Sequence, residues 1–136
     1  MDLAKYRSIF VEESTEHLSE ISAALLQLEK DPGCADAIDS IFRMAHSIKG
    51  MAASMGYDVI TELAHHLEDR MEAIRDVGRA ASGDELALLF RGLAALEAMV
   101  ATVRATGEGP APNPELVRAL AGAGPAEPAL GEKKKP

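Results

Sequence analysis

Apolar side chains recur at steps of three and four along most of the first 106 residues, which is the periodicity of helices with one buried face. Short breaks rich in glycine or proline divide this region into four segments, at Asp31-Pro32-Gly33, at Gly56 and at Gly78 to Gly83. Four helices of about 20 residues with short loops predict an all-α fold, an antiparallel up-down four-helix bundle. The clearest apolar stripe is that of the fourth helix: Leu86, Leu89, Phe90, Leu93, Leu96, Val100 and Val103.

Beyond residue 106 the composition changes, and the chain is predicted to leave the bundle. Residues 107–112 have the glycine and proline content of a linker. Asn113-Pro114-Glu115 is a favourable helix start, so we expect a short fifth helix that docks through its few apolar residues. The expected organisation is a four-helix bundle at 1–106, a linker with a docking helix at 107–121, and a flexible tether to further domains at 122–136.

Charge and composition exclude several classes of partner. The net charge of −8 disfavours nucleic acids and anionic membrane surfaces. No run approaches the roughly 18 apolar residues of a membrane span, so no membrane insertion is expected. The single cysteine, Cys34, cannot form an internal disulfide and fits a reducing compartment. We therefore expect a cytoplasmic protein.

One polar pair lies within each of the predicted second and third helices. His46 and Lys49 are three residues apart and share a helix face, as do His65 and Glu68. Each pair lies about ten residues from Gly56, the predicted turn between these helices. The four side chains are therefore expected at one level, roughly 15 Å from the turn.

This combination suits an activated phosphoryl acceptor. A carboxylate that accepts from one imidazole N–H fixes the tautomer and leaves the other nitrogen free to attack, and Glu68 is placed to do this for His46. Lys49, one turn along, can meet the negative phosphoryl oxygens. Gly50 costs its helix about 1 kcal/mol relative to alanine, and access of a bulky partner to the imidazole would explain it.

Other interpretations of these residues stay open. Histidines on helix surfaces are commonly just solvated, and a His–Lys or His–Glu pair at this spacing often arises by chance. Glu62-Leu63-Ala64-His65 is a Glu-x-x-His element of the kind found in di-iron bundles, although the second copy that such a site requires is missing. The chain has no glycine-rich phosphate loop, so an ATP site would have to lie elsewhere.

The stretch from Phe42 to Gly50, FRMAHSIKG, resembles the phosphorylation motif of histidine phosphotransfer domains, specifically the N-terminal domain of CheA-type chemotaxis histidine kinases. The stretch from Leu63 to Glu68, LAHHLE, resembles the second helix motif of the same family. The similarity extends over about residues 3–121. Met51 departs from the family pattern, which has glycine or another small residue there.

The resemblance implies that His46 is the phospho-acceptor, that Glu68 orients it, and that Lys49 and His65 assist. It implies that a kinase domain, on the same polypeptide or on a dimeric partner, transfers the ATP γ-phosphoryl to His46 Nε2. An aspartate of a response-regulator receiver domain then takes the group. The chain would thus be the acceptor part of a protein-histidine kinase with no cofactor of its own, since ATP and magnesium belong to the partner domains. The alternatives are a stand-alone phosphorelay shuttle and a purely structural helical adaptor.

Overall fold

The structure is a computed structural model that describes residues 2–80 and 82–123, and within these ranges the regular elements are all helices, without strands. The predicted all-α fold with a short fifth helix is confirmed. Residues 124–136, most of the predicted tether, lie outside the described residues. The helices are α1 (Leu3–Lys30), α2 (Ala35–Met55), α3 (Asp58–Val77), α4 (Gly83–Thr106) and α5 (Pro114–Arg118).

The helix ends follow from residues with special backbone or capping properties. Asp2 caps α1 by accepting a hydrogen bond from the Lys5 amide, and Ser82 caps α4 in the same way. α2, α3 and α4 each end at a glycine with a left-handed backbone, with φ of 77°, 95° and 77° at Gly56, Gly78 and Gly107. The Gly56 turn makes α2 and α3 antiparallel neighbours, which is the arrangement that the sequence predicts.

The core lies between the four long helices, and each helix contributes one apolar stripe to it. Because each stripe is buried, the residues beside it lie at the flanks where two helices meet, which is how the chain positions polar groups between α2 and α3. The largest fully buried side chains are Ile21, Leu25, Leu28, Ile38, Ile41, Ile48, Ile60, Leu63, Leu67, Met71, Leu89 and Leu96.

α5 and the wider turn that follows it, Ala119–Ala123, pack against α3 and α4. Leu116 and Leu120 are each 2% exposed. Arg70 of α3 donates to the carbonyl oxygen of Leu120 at 2.7 Å. A Cβ atom built at Gly92 of α4 would lie 3.6 Å from Leu120, in ordinary van der Waals contact, so Gly92 faces this docked segment directly.

α4 is the most apolar of the four long helices. Its mean hydropathy reaches 1.8, which by length and composition alone suffices for a membrane span, contrary to the expectation that no run approaches that length. The alanines on its outer side raise this value without adding large apolar side chains. The core helix of a bundle passes the same test, and α4 packs its stripe against α1 and α3.

Candidate phosphoryl-acceptor site

His46 lies in the middle of α2, at the flank that faces α3. Ala45 and Ile48 on either side of it are fully buried, which sets the rotation of the helix and leaves the His46 side chain 64% exposed. On α3, the buried Leu67 likewise turns its neighbour Glu68 towards α2. His46 Nδ1 and Glu68 Oε2 are 2.5 Å apart, which is a hydrogen bond between the two helices.

Glu68 is more deeply buried than its position beside the apolar stripe of α3 suggests, because only 7% of the residue is exposed. Its second oxygen, Oε1, lies 2.6 Å from the Lys49 ammonium as an ion pair. Burial by itself raises the pKa of Glu68, but the contacts and charges of Lys49 and His46 outweigh it and hold the pKa below its ordinary value. The carboxylate is therefore ionised at neutral pH, and each of its oxygens has a partner.

The ionised carboxylate determines which nitrogen of His46 carries the proton. A carboxylate can only accept hydrogen bonds, so Nδ1 must be the donor and the neutral ring keeps its lone pair on Nε2. Because the buried Glu68 holds Nδ1 and the His46 side chain is 64% exposed, the opposite nitrogen, Nε2, faces the surface. The site therefore presents a nucleophilic nitrogen to an incoming group.

The structure does not join His65 to this arrangement by hydrogen bonds. Its Nε2 lies 3.0 Å from Asp69 Oδ2 on the next turn of α3, and its ring meets the edge of His66. In the described part of the chain it has no hydrogen bond to His46, Lys49 or Glu68. An assisting role of His65 stays a prediction.

Glu62 and His65 are not part of a larger set of candidate metal ligands in the described part of the chain. Within residues 2–80 and 82–123, no group of three or more His, Cys, Asp or Glu side chains is arranged to hold a metal ion.

Gly50 is exposed one turn beyond His46. A Cβ atom built at this position would meet no atom of the protein within 4 Å, so packing inside the chain does not require glycine here. Lack of a side chain instead leaves the surface beside the imidazole open. This is compatible with the sequence-based explanation that a partner needs access to His46.

A second polar cluster on the same flank was missed by the sequence analysis. Asp39 and Arg43 form an ion pair along α2, and Arg75 of α3 approaches the same carboxylate at 3.7 Å. The guanidinium of Arg75 also lies over the Phe42 ring, 4.1 Å from its centroid. Two signals could have revealed the cluster: the i, i+4 spacing of Asp39 and Arg43, and the similar separation of residues 39 and 75 from the Gly56 turn.

Comparison with curated proteins shows related sequences. Residues 5–106 match the family described as the Hpt domain. The chain is 42% identical over 109 residues to "Chemotaxis protein CheA" of Bacillus subtilis and 38% identical over 103 residues to the protein of that name from Halobacterium salinarum. These alignments cover 80% and 76% of this chain but only 16% and 15% of the relatives. The chain thus corresponds to a small part of those proteins.

Solved structures show the same relationship in three dimensions. The CheA phosphotransferase domain from Thermotoga maritima superimposes with a TM-score of 0.70 at 32% identity, covering 76% of this chain and 98% of that domain. A histidine phosphotransfer domain of CheA superimposes with a TM-score of 0.76 at 28% identity, covering 96% of each chain. Both agree with the resemblance carried by the two sequence motifs. The chain belongs to the Hpt family of histidine phosphotransfer domains.

Proposed function

We propose that this chain is the phosphotransfer domain of a CheA-type chemotaxis histidine kinase, and that His46 accepts and then passes on the phosphoryl group. The observation that carries the proposal is the 2.5 Å contact between His46 Nδ1 and the ionised Glu68, which leaves an exposed lone pair on Nε2. The family membership and the CheA relatives agree with it.

In the first step, the Nε2 lone pair of His46 attacks the γ-phosphorus of ATP held by a kinase domain. A nitrogen–phosphorus bond forms, the bond to the β,γ-bridging oxygen breaks, and ADP leaves with that electron pair. The ring keeps its Nδ1 proton and gains positive charge, which Glu68 stabilises through the existing hydrogen bond. Lys49, 26% exposed beside the ring, provides a positive charge for the phosphoryl oxygens.

In the second step, an aspartate carboxylate of a receiver domain attacks the phosphorus. The nitrogen–phosphorus bond breaks and its electron pair returns to Nε2, so His46 is restored as the neutral tautomer with hydrogen on Nδ1. Both partners approach the same exposed nitrogen, and the open surface at Gly50 gives them room. The donor and the acceptor of the phosphoryl group therefore have to dock in turn.

The chain would act as the acceptor part of a protein-histidine kinase in the cytoplasm. In this proposal the kinase domain is carried by the same polypeptide or by a dimeric partner, and ATP and magnesium bind there. The response regulator is the second partner. Neither nucleic acid nor a membrane has a role in it.

The test is incubation of the chain with a CheA kinase fragment and ATP labelled at the γ-phosphate. The chain should acquire an acid-labile, base-stable phosphate that His46→Gln abolishes without changing the helical content. His65→Gln and His66→Gln are matched controls that should keep the label. A stand-alone shuttle would instead accept phosphoryl from a phosphorylated receiver but not from the kinase, whereas a structural adaptor would accept it from neither.

A further inference from the structure

The ion-pair cluster next to the acceptor site contains two arginines that compete for one carboxylate. Asp39 is held by Arg43 from the next turn of α2 and by Arg75 from α3. All three side chains are substantially exposed, at 43%, 59% and 42%. Their ion pairs are therefore weak enough to be exchanged for stronger partners.

The two arginines are anchored differently. Arg75 lies over the Phe42 ring at 4.1 Å, and this cation–π contact gives its guanidinium a second partner that does not depend on Asp39. Arg43 has no ring beneath it, and among the described residues Asp39 is its only ion-pair or hydrogen-bond partner. Arg43 can therefore leave Asp39 at little cost, because Arg75 remains beside the carboxylate.

Arg43 also lies one turn before His46 on the same face of α2. Side chains three residues apart on a helix have Cβ atoms about 5–6 Å apart. A helical side chain covers the turn that precedes it, so the His46 ring extends towards the level of Arg43. The Arg43 side chain is tilted in the same direction, towards Asp39, so its guanidinium has to turn away from Asp39 to meet a group attached to Nε2, and its long flexible stem allows this.

We propose that Arg43 exchanges partners when His46 is phosphorylated, leaving Asp39 and binding the phosphoryl oxygens, while Arg75 keeps Asp39. This inference rests on the proposed function, since it requires a phosphoryl group on His46. A phosphoryl group carries a charge of about −1.5 to −2, more than the single charge of Asp39. A guanidinium also binds its oxygens through two parallel N–H donors, which the Lys49 ammonium cannot do.

The exchange can be measured on the phosphorylated domain itself by phosphorus NMR. The chain is phosphorylated with phosphoramidate, a small donor that needs no kinase, or alternatively with the kinase fragment, and the phosphohistidine resonance is titrated with pH. A guanidinium against the phosphoryl group favours its more negative form and lowers the titration midpoint. We expect Arg43→Gln to raise that midpoint by about 0.5 pH unit. Glu68 and Lys49 also face the group, but they are the same in every variant.

Arg75→Gln is the control for loss of a positive charge near the site. It leaves Asp39 to Arg43 alone, so it weakens the exchange but keeps the guanidinium that binds the phosphoryl group, and it should raise the midpoint by less than half as much. The side-chain Nε–Hε signal of Arg43 should also move on phosphorylation, while that of Arg75 stays. An unchanged midpoint in Arg43→Gln, or equal effects of the two variants, would overturn the exchange while leaving His46 as the acceptor. A chain that takes phosphoryl at His46 from neither donor would overturn the proposed function, and this inference with it.

Discussion

Replacing Glu68 by glutamine tests the acceptor site most directly, because the change keeps the side chain's size and removes one acceptor. The carboxylate uses Oε2 for His46 Nδ1 and Oε1 for Lys49. A glutamine has a single acceptor oxygen, so it cannot satisfy both donors. If the oxygen faces Lys49, the NH₂ group faces Nδ1 and favours the tautomer that has hydrogen on Nε2, which cannot attack.

The size of the effect follows from these contacts. Loss of the carboxylate partner of a metal-binding histidine typically costs about 10- to 100-fold, and by analogy we expect a fall of about that size in the phosphorylation rate by the kinase fragment. Stability should change less, by about 1 kcal/mol, because Lys49 and His46 are partly exposed and can turn to water while the desolvation cost of the buried carboxylate disappears. The variant should therefore be folded but slow.

The assay combines phosphorylation kinetics with long-range proton–nitrogen NMR spectra, which identify the nitrogen of His46 that carries the proton. Glu72→Gln is the matched control, an identical change one turn further along α3 at an exposed position, and it should alter neither measurement. An unchanged rate together with an unchanged tautomer in Glu68→Gln would refute the role given to Glu68. A slow variant that has lost its helical signal would instead show that Glu68 acts through folding.

Two further predictions concern stability. The folded-state pKa of Glu68 lies below its ordinary value of 4.5, so its stabilising contribution is complete above that value and is lost as the pH falls through the folded-state pKa. Urea unfolding of the wild type and of Glu68→Gln should accordingly converge in acid. A chain ending at Ala121 should melt within a few degrees of the full chain, whereas one ending at Thr106 should melt several degrees lower because the buried Leu116 and Leu120 are lost. Equal melting temperatures for the two truncated chains would contradict the docking role of α5.

The sequence predicts where along the helices the site lies, but it does not predict how deeply Glu68 is buried. Antiparallel helices joined by a short turn place residues at similar separations from the turn side by side, and this rule brings His46 opposite Glu68. Glu68 is buried by tertiary packing, because α2 packs against α3 and the side chains of Lys49 and His46 contact the carboxylate. The periodicity of one helix indicates on which face a residue lies, but it does not indicate which side chains of other helices pack over that residue.

His65 and Arg43 show two other limits. The shared face of His65 and Glu68 suggested a common network, but Asp69 at i, i+4 provides His65 with a nearer partner on its own helix. The Asp39 cluster obeys the same turn rule as the acceptor site. It was overlooked because exposed arginines on a helix are usually just solvated, and only the structure shows that two of them share one carboxylate.

The position of His46 in the middle of a 21-residue helix has a consequence for the direction of transfer. Nucleophile, carboxylate and lysine all stand on hydrogen-bonded backbone rather than on loops, so the site needs no ordering before each reaction. A rigid acceptor of this kind presents the same shape to the donor and to the next acceptor. In the proposed function, the order of the two transfers is then governed by the relative phosphoryl-transfer potentials of the partners and by their affinities for phosphorylated and unphosphorylated His46.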